Sequence, residues 1–216
     1  MHIQQSFADE VAGHLLQINA IKLNVEQPFT WSSGLLAPVY CDNRRILSFP
    51  GIRRMVAENL ADIIRSRFPG VELIAGVATG AIAHGVLVAE HLDLPFVYVR
   101  STPKAHGLGS QVEGYAPPGS RTVLVEDLIS TGKSSMAAFN ALKELGMQMM
   151  GMCAIFTYDL DMACENLKET ENSLYVLSNF ETLLKTAEER GLISAEEKHE
   201  LTAWRDDPLA WSNARS

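Results

Sequence analysis

Val123-Leu124-Val125-Glu126-Asp127-Leu128-Ile129-Ser130-Thr131-Gly132-Lys133-Ser134-Ser135 decides how the chain reads. Its apolar, β-branched start suits a strand buried on both faces. Two adjacent carboxylates, Glu126 and Asp127, follow at the strand's carboxyl end. Small, hydroxylated and basic residues come next, and then a helix-period apolar pattern through Met136, Phe139, Leu142 and Leu145. A strand, an acidic pair, a hydroxyl-rich turn and a helix start together suit a sugar phosphate. The helix start offers outward N–H groups and the positive end of its dipole to an anion. Gly132 lets the backbone approach that anion. Carboxylates would repel a phosphate, so they suit ribose hydroxyls or a hard cation. The segment is not a P-loop, which needs glycine where Asp127 stands. An ordinary strand–turn–helix with a solvated acidic turn is the competing reading.

Working outward, strand and helix patterns alternate. The pattern predicts a helix over 6–20 and short antiparallel strands within 20–40. A helix from a Ser48 cap to Phe68 follows, then a strand over 72–78 and a helix to about His91. Further strands fall at 94–100, 149–158 and 173–177, with helices at 160–171, 183–190 and 195–204. Residues 101–118 form a long Gly- and Pro-rich loop. This alternation predicts an α/β chain with a mostly parallel twisted sheet flanked by helices. It divides into a small N-terminal subdomain at about 20–45, a core at about 46–190 and C-terminal helices at about 180–206. Ligands of such sheets bind beyond the carboxyl ends of the strands. The turns at Thr79-Gly80, after Arg100 and at 126–134 therefore converge on one edge.

The 216 residues carry a formal net charge of −8 and are 47% hydrophobic, which suits a chain with a sizeable core. The acidic balance argues against nucleic acid as the main partner. Lys and Arg nevertheless outnumber Asp and Glu between residues 44 and 133, where the site is expected. Three cysteines without a Cys-x-x-Cys pair argue against zinc or a disulfide framework. No window has a membrane-spanning length, and the start does not read as a signal peptide, so a cytoplasmic protein is expected. Lys104 and His106 stand beside Gly107 in the long loop. A cationic loop that closes over a leaving diphosphate could neutralise its charge and exclude water. Solvated, incidental charges are the alternative there. His84 reads as a packed helix histidine.

The 123–135 stretch resembles the phosphoribosyl pyrophosphate (PRPP) motif of type I phosphoribosyltransferases: hydrophobic strand, acidic pair, two apolar residues, then Ser/Thr-Thr-Gly. Arg100, Lys104, His106 and Gly107 resemble the catalytic loop of orotate phosphoribosyltransferases, with Ala105 where that family has Asp. Phe29 to Gly34, Val39-Tyr40 and Cys41 to Arg44 resemble the same family's N-terminal hood, with Leu36 where relatives often have Lys. Gly76 to Gly80 resembles its pyrophosphate loop, and Lys133 replaces a small residue of the PRPP motif.

The resemblance implies the type I phosphoribosyltransferase fold. It also implies conversion of orotate and PRPP to orotidine 5′-phosphate and pyrophosphate with Mg²⁺, held mainly through PRPP. It assigns catalysis to Lys104, His106 and Asp127. PRPP binding falls to Arg100, Lys104, His106, Glu126, Asp127, Leu128, Ile129, Ser130, Thr131, Gly132, Lys133 and Ser134, and an orotate contact to Ser130. It further implies a homodimer in which loop 101–114 completes the neighbouring subunit's site. A phosphoribosyltransferase for another base and a non-catalytic PRPP-sensing regulator are the alternatives.

Overall fold

The structure is a computed structural model that describes residues 1–101 and 111–215, with backbone alone at residues 171 and 172. A seven-stranded sheet forms its centre. It comprises β1 (His2–Ile3), β6 (Leu73–Val77), β7 (Phe96–Val99), β8 (Val112–Glu113), β9 (Arg121–Ile129), β10 (Gln148–Thr157) and β11 (Leu174–Asn179). Their order is β1-β11-β10-β9-β6-β7-β8, and all neighbours are parallel except β7 and β8. Residues 73–77, 122–126 and 151–157 are buried without interruption, as central parallel strands covered on both faces must be.

Helices flank the sheet: α1 (Gln5–Gln17), α2 (Pro50–Arg67), α3 (Ala81–Leu92), α4 (Lys133–Glu144), α5 (Asp161–Asn166), α6 (Phe180–Glu189), α7 (Ala195–Asp206) and α8 (Pro208–Asn213). The predicted N-terminal strands are two antiparallel pairs outside the main sheet. β2 (Ile21–Leu23) pairs with β5 (Val39–Cys41), and β3 (Phe29–Thr30) with β4 (Leu36–Ala37).

Four local expectations change. Ser48 does not cap α2: it ends a 3-10 turn over Asn43–Ser48, and Phe49, whose N–H reaches the Ile46 carbonyl at 3.0 Å, stands at the cap. The long loop contains β8, whose two residues are too few to carry an alternating pattern. The single helix over 160–171 divides into α5 and a 3-10 stretch, Lys168–Ser173. Asn166, the last residue of α5, turns its side chain to the Thr131 carbonyl at 2.8 Å. Finally, α8 follows α7, with Pro208 in its first turn and the Asp207 carboxylate accepting from Ala210 N at 2.9 Å.

An aromatic cluster joins the sheet to these outer elements. Phe156 and Tyr158 lie edge to face at 5.8 Å, and Tyr158 in turn meets Trp31 at 5.4 Å and Trp204 at 5.6 Å. Phe156 has no exposed surface, so its truncation leaves a cavity that parallel strands cannot collapse around. We expect Phe156→Ala to cost about 3–5 kcal/mol and to lower Tm by on the order of 10 °C. Exposed Leu145→Ala should move Tm little, and equal Tm values for the two variants in a thermal melt would contradict this packing.

Candidate active site

Parallel pairing of β9 with β6 and β10 sets the site's frame. Gly76 pairs with Val125, and Glu126 with Ala154, so Val77 and the following turn come level with the acidic pair. Residues 77–80 and 126–128 form two walls of a polar cleft of about 360 Å³, which Cys41, Asp42, Arg44 and Ser134 complete. The peptide between Ala78 and Thr79 is cis. A Cβ built on Gly80 would lie 2.2 Å from Asp127 Oδ2, so a glycine is required for this close approach.

Glu126 and Asp127 are neighbours in very different surroundings. Glu126 is only 3% exposed. Its Oε2 accepts from Ser135 Oγ at 2.7 Å and its Oε1 from the Asp127 N–H at 3.1 Å. Burial, and then the charge of Asp127, push the Glu126 carboxyl well above the usual carboxylate range, against the pull of the Ser135 hydrogen bond. The pair therefore favours a proton on Glu126, its buried member, while Asp127 is half-buried. Asn43 Nδ2 donates to the Asp127 carbonyl at 2.6 Å and pins that backbone from the 3-10 turn. Buried His84 stands beneath, where burial lowers its pKa against the opposing pull of Asp127 and the Asn43 backbone.

The turn to α4 is held from behind. Gly132 has φ +74°, the left-handed region, and a Cβ there would press on Leu167 at 2.8 Å. Asn166 binds the Thr131 carbonyl, as described above. Lys133 and Ser134 open α4 and are exposed, so that helix's first amides face the ligand edge. Ile129 differs from its neighbours: its side chain is fully buried and its carbonyl accepts from Tyr158 N at 3.2 Å.

A second cavity, of about 560 Å³, adjoins the first and shares Cys41, Arg44 and Leu128 with it. Its other walls are Thr30, Trp31, Ser32, Tyr40, Ser130 and Tyr158. Arg44 stands between the two with its Nε 2.6 Å from Asp42 Oδ1, a pairing that holds the Asp42 carboxyl below its ordinary range. Burial, Asp127 and Asp42 raise the Cys41 thiol, so it stays protonated at neutral pH.

Of the residues singled out in sequence, Glu126, Asp127, Leu128 and Ser134 line the polar cleft, and Leu128 and Ser130 the adjoining cavity. Arg100 does not join them. Its Nη1 lies 3.6 Å from Glu113 across β7 and β8, and its backbone pairs with Gln111. Lys104 and His106, like Ala105, lie outside the described residues. Asn166 falls in no stretch that the sequence singled out, and Gly80, Asn43 and Ser135, although within such stretches, carried no sign there of the contacts they make. Each acts by contact with a residue distant in sequence or by leaving room for one, so no local pattern marks it.

The family profile described as "Phosphoribosyl transferase domain" matches residues 42–179. The orotate phosphoribosyltransferase of Bacillus caldolyticus is 48% identical over 94% of this chain and 98% of its own. That of Bacillus cereus is 46% identical over 95% and 99%. This chain belongs to the orotate phosphoribosyltransferase family. The crystal structure of an orotate phosphoribosyltransferase from Aeropyrum pernix superposes with a TM-score of 0.72 at 28% identity, covering 85% of this chain and 99% of that one. The type I phosphoribosyltransferase fold expected from the resemblance is therefore the fold found, and the chain is a pentosyltransferase.

A carboxyl whose folded pKa exceeds its unfolded value stabilises the fold fully below the unfolded pKa of about 4.3. That contribution is lost as pH rises through the folded pKa. Gln copies the protonated form and cannot ionise. We expect the Tm of Glu126→Gln, relative to wild type, to rise as the pH is raised from about 5, just above the unfolded pKa, by about 2–4 °C for each kcal/mol that the wild type loses. A pH-independent Tm difference would show that Glu126 is ionised throughout.

Proposed function

We propose that the chain transfers the 5-phosphoribosyl group from PRPP to orotate, giving orotidine 5′-phosphate and pyrophosphate in pyrimidine biosynthesis. The observation that carries this is the meeting of two unlike cavities at Cys41, Arg44 and Leu128. One is polar and bounded by the acidic pair. The other is walled by the indole and phenol rings of Trp31, Tyr40 and Tyr158 and suits a flat base. The names of the Bacillus relatives agree with this pairing.

In the reaction the bond from the anomeric carbon to diphosphate breaks, and a bond from that carbon to a ring nitrogen of orotate forms. That ring nitrogen gives up its proton as the new bond forms, and the departing diphosphate, itself a base, takes it, so no protein nucleophile is needed. Positive charge grows on the ribose as diphosphate leaves. Asp127 accepts from a ribose hydroxyl and sets a negative field beside the growing charge. Glu126, hydrogen-bonded behind it, keeps that carboxylate in place and has lone pairs left for a second hydroxyl. The hydroxyls and amides of Thr131, Gly132, Lys133 and Ser134 hold the 5′-phosphate at the start of α4. Leu128 packs at the junction of the cavities, Ile129 contributes through backbone and core packing, and Ser130 contacts orotate.

Among the described residues no cluster of three or more His, Cys, Asp or Glu side chains could cage a metal. Asp127 and the open cleft suit a cation that enters on the substrate's own diphosphate. Mg²⁺ bound there supplies neutralisation of the leaving group's charge. Arg100, Lys104 and His106 complete that neutralisation from the long loop. In this reading loop 101–114 serves the neighbouring subunit of a homodimer. The engagement of Arg100 with Glu113, away from its own cleft, supports that arrangement. No described helix is long and apolar enough to cross a membrane, and the reading places the enzyme in the cytoplasm.

Incubation with PRPP, Mg²⁺ and one base at a time tests the proposal. Orotate should be consumed with equimolar pyrophosphate release, while adenine, guanine and uracil should not. Consumption of another base, or of none, overturns it. Lys104→Ala should lower kcat by about 10²-fold or more while PRPP affinity stays within a few-fold. Equal losses in both would remove the loop from the chemical step.

A further inference from the structure

We propose that α7 and α8 clamp the base-binding wall in place, with Ser212 and Trp204 as positioning residues that set affinity for the base. The inference rests on reading the cavity of about 560 Å³ as the base pocket. Its outer wall comes from the β3–β4 and β2–β5 pairs. Isolated two-stranded pairs of this length are marginal in water, so their placement depends on what they are fastened to.

Two fastenings come from the far end of the chain. The N–H of Leu36, in β4, donates to Ser212 Oγ at 3.0 Å, and Ser212 is only 3% exposed. The Trp31 indole meets Trp204 edge to face at 5.5 Å while its Nε1 donates to the Val39 carbonyl at 3.0 Å. Trp204 is fully buried and is itself wedged against Phe180 and Tyr158 at 5.4 and 5.6 Å. The clamp is internally stitched. Arg215, just beyond α8, lies over the Trp211 ring at 3.9 Å and pairs with Glu200 of α7, which links the two helices.

The wall also needs these fastenings because of what lies behind it. A cavity of about 550 Å³ separates it from Arg205, Asp207 and Leu209, and Trp31, Ser32 and Ser130 border both that cavity and the base pocket. Trp31 and Ser32 are thus a partition with open space on each side. Such a partition holds its position through the contacts at its edges, and Ser212, bonded to Leu36, and Trp204, packed on Trp31, supply two of them. The strands of the wall and the clamp lie outside the matched residues 42–179.

Steady-state kinetics of Ser212→Ala, with orotate and PRPP varied in turn, tests the clamp. Loss of one hydrogen bond should raise the orotate KM by about two- to ten-fold. The PRPP KM, and kcat at saturating orotate, should stay near wild type, and Ser212→Thr should recover the orotate KM. Equal rises in both KM values, or a lowered Tm with unchanged KM values, overturns the proposal. If Ser212→Ala does not fold, Trp204→Phe should give the same selective rise, and its absence there is equally fatal. Wild-type turnover of a different base would instead sink the orotate reading, and the clamp would then be judged on that base's KM.

Discussion

Parallel pairing of β9 with β6 on one side and β10 on the other is the constraint from which the site follows. Three adjacent parallel strands must present their carboxyl ends on one edge, so the turn after Val77 and the acidic pair cannot avoid meeting. The strand continues through Glu126 and Asp127 to Ile129, so both carboxyls are held by ladder backbone and not by a loop. That rigidity brings the Asp127 carboxylate against Gly80, where a Cβ would displace it.

Burial then separates two chemically similar residues. Glu126 enters the interior and meets Ser135 and the Asp127 amide, while Asp127 faces the cleft. A low-dielectric site disfavours two adjacent negative charges, and the buried member gives up its charge first. The buried one then serves as scaffold and the other as the face open to the cleft. The same division recurs at the turn into α4. Thr131 and Gly132 are fixed from behind by Asn166 and Leu167, which leaves the helix start open to the ligand edge.

The second cavity has a different physical origin. Its floor is the end of β10 and the Ser130 turn, both set by the main sheet. Its outer wall is a pair of short sheets that the main sheet does not bond. Aromatic contacts and one long-range hydrogen bond connect that wall to α7 and α8, so base recognition depends on elements at opposite ends of the chain. The sugar-phosphate half is thus set by the main sheet, and the outer wall of the base half by elements fastened to its end.

Much of this was legible in the residues. The uninterrupted apolar run before Glu126 specified a buried parallel strand, and the alternation of strand and helix patterns specified the α/β sheet and its ligand edge. Those signals are local and repeated along the chain, and hydrophobic burial enforces them. The two-residue strands β1 and β8 and the helix α8 lacked enough residues to show a period. Tertiary structure alone decided that Glu126 turns inward, that Arg100 faces Glu113, that Asn43 pins Asp127 and that Ser212 reaches Leu36. Each of these depends on which distant segment arrives beside a side chain. That arrival fixes desolvation and hydrogen-bond partners, which residue order does not encode locally.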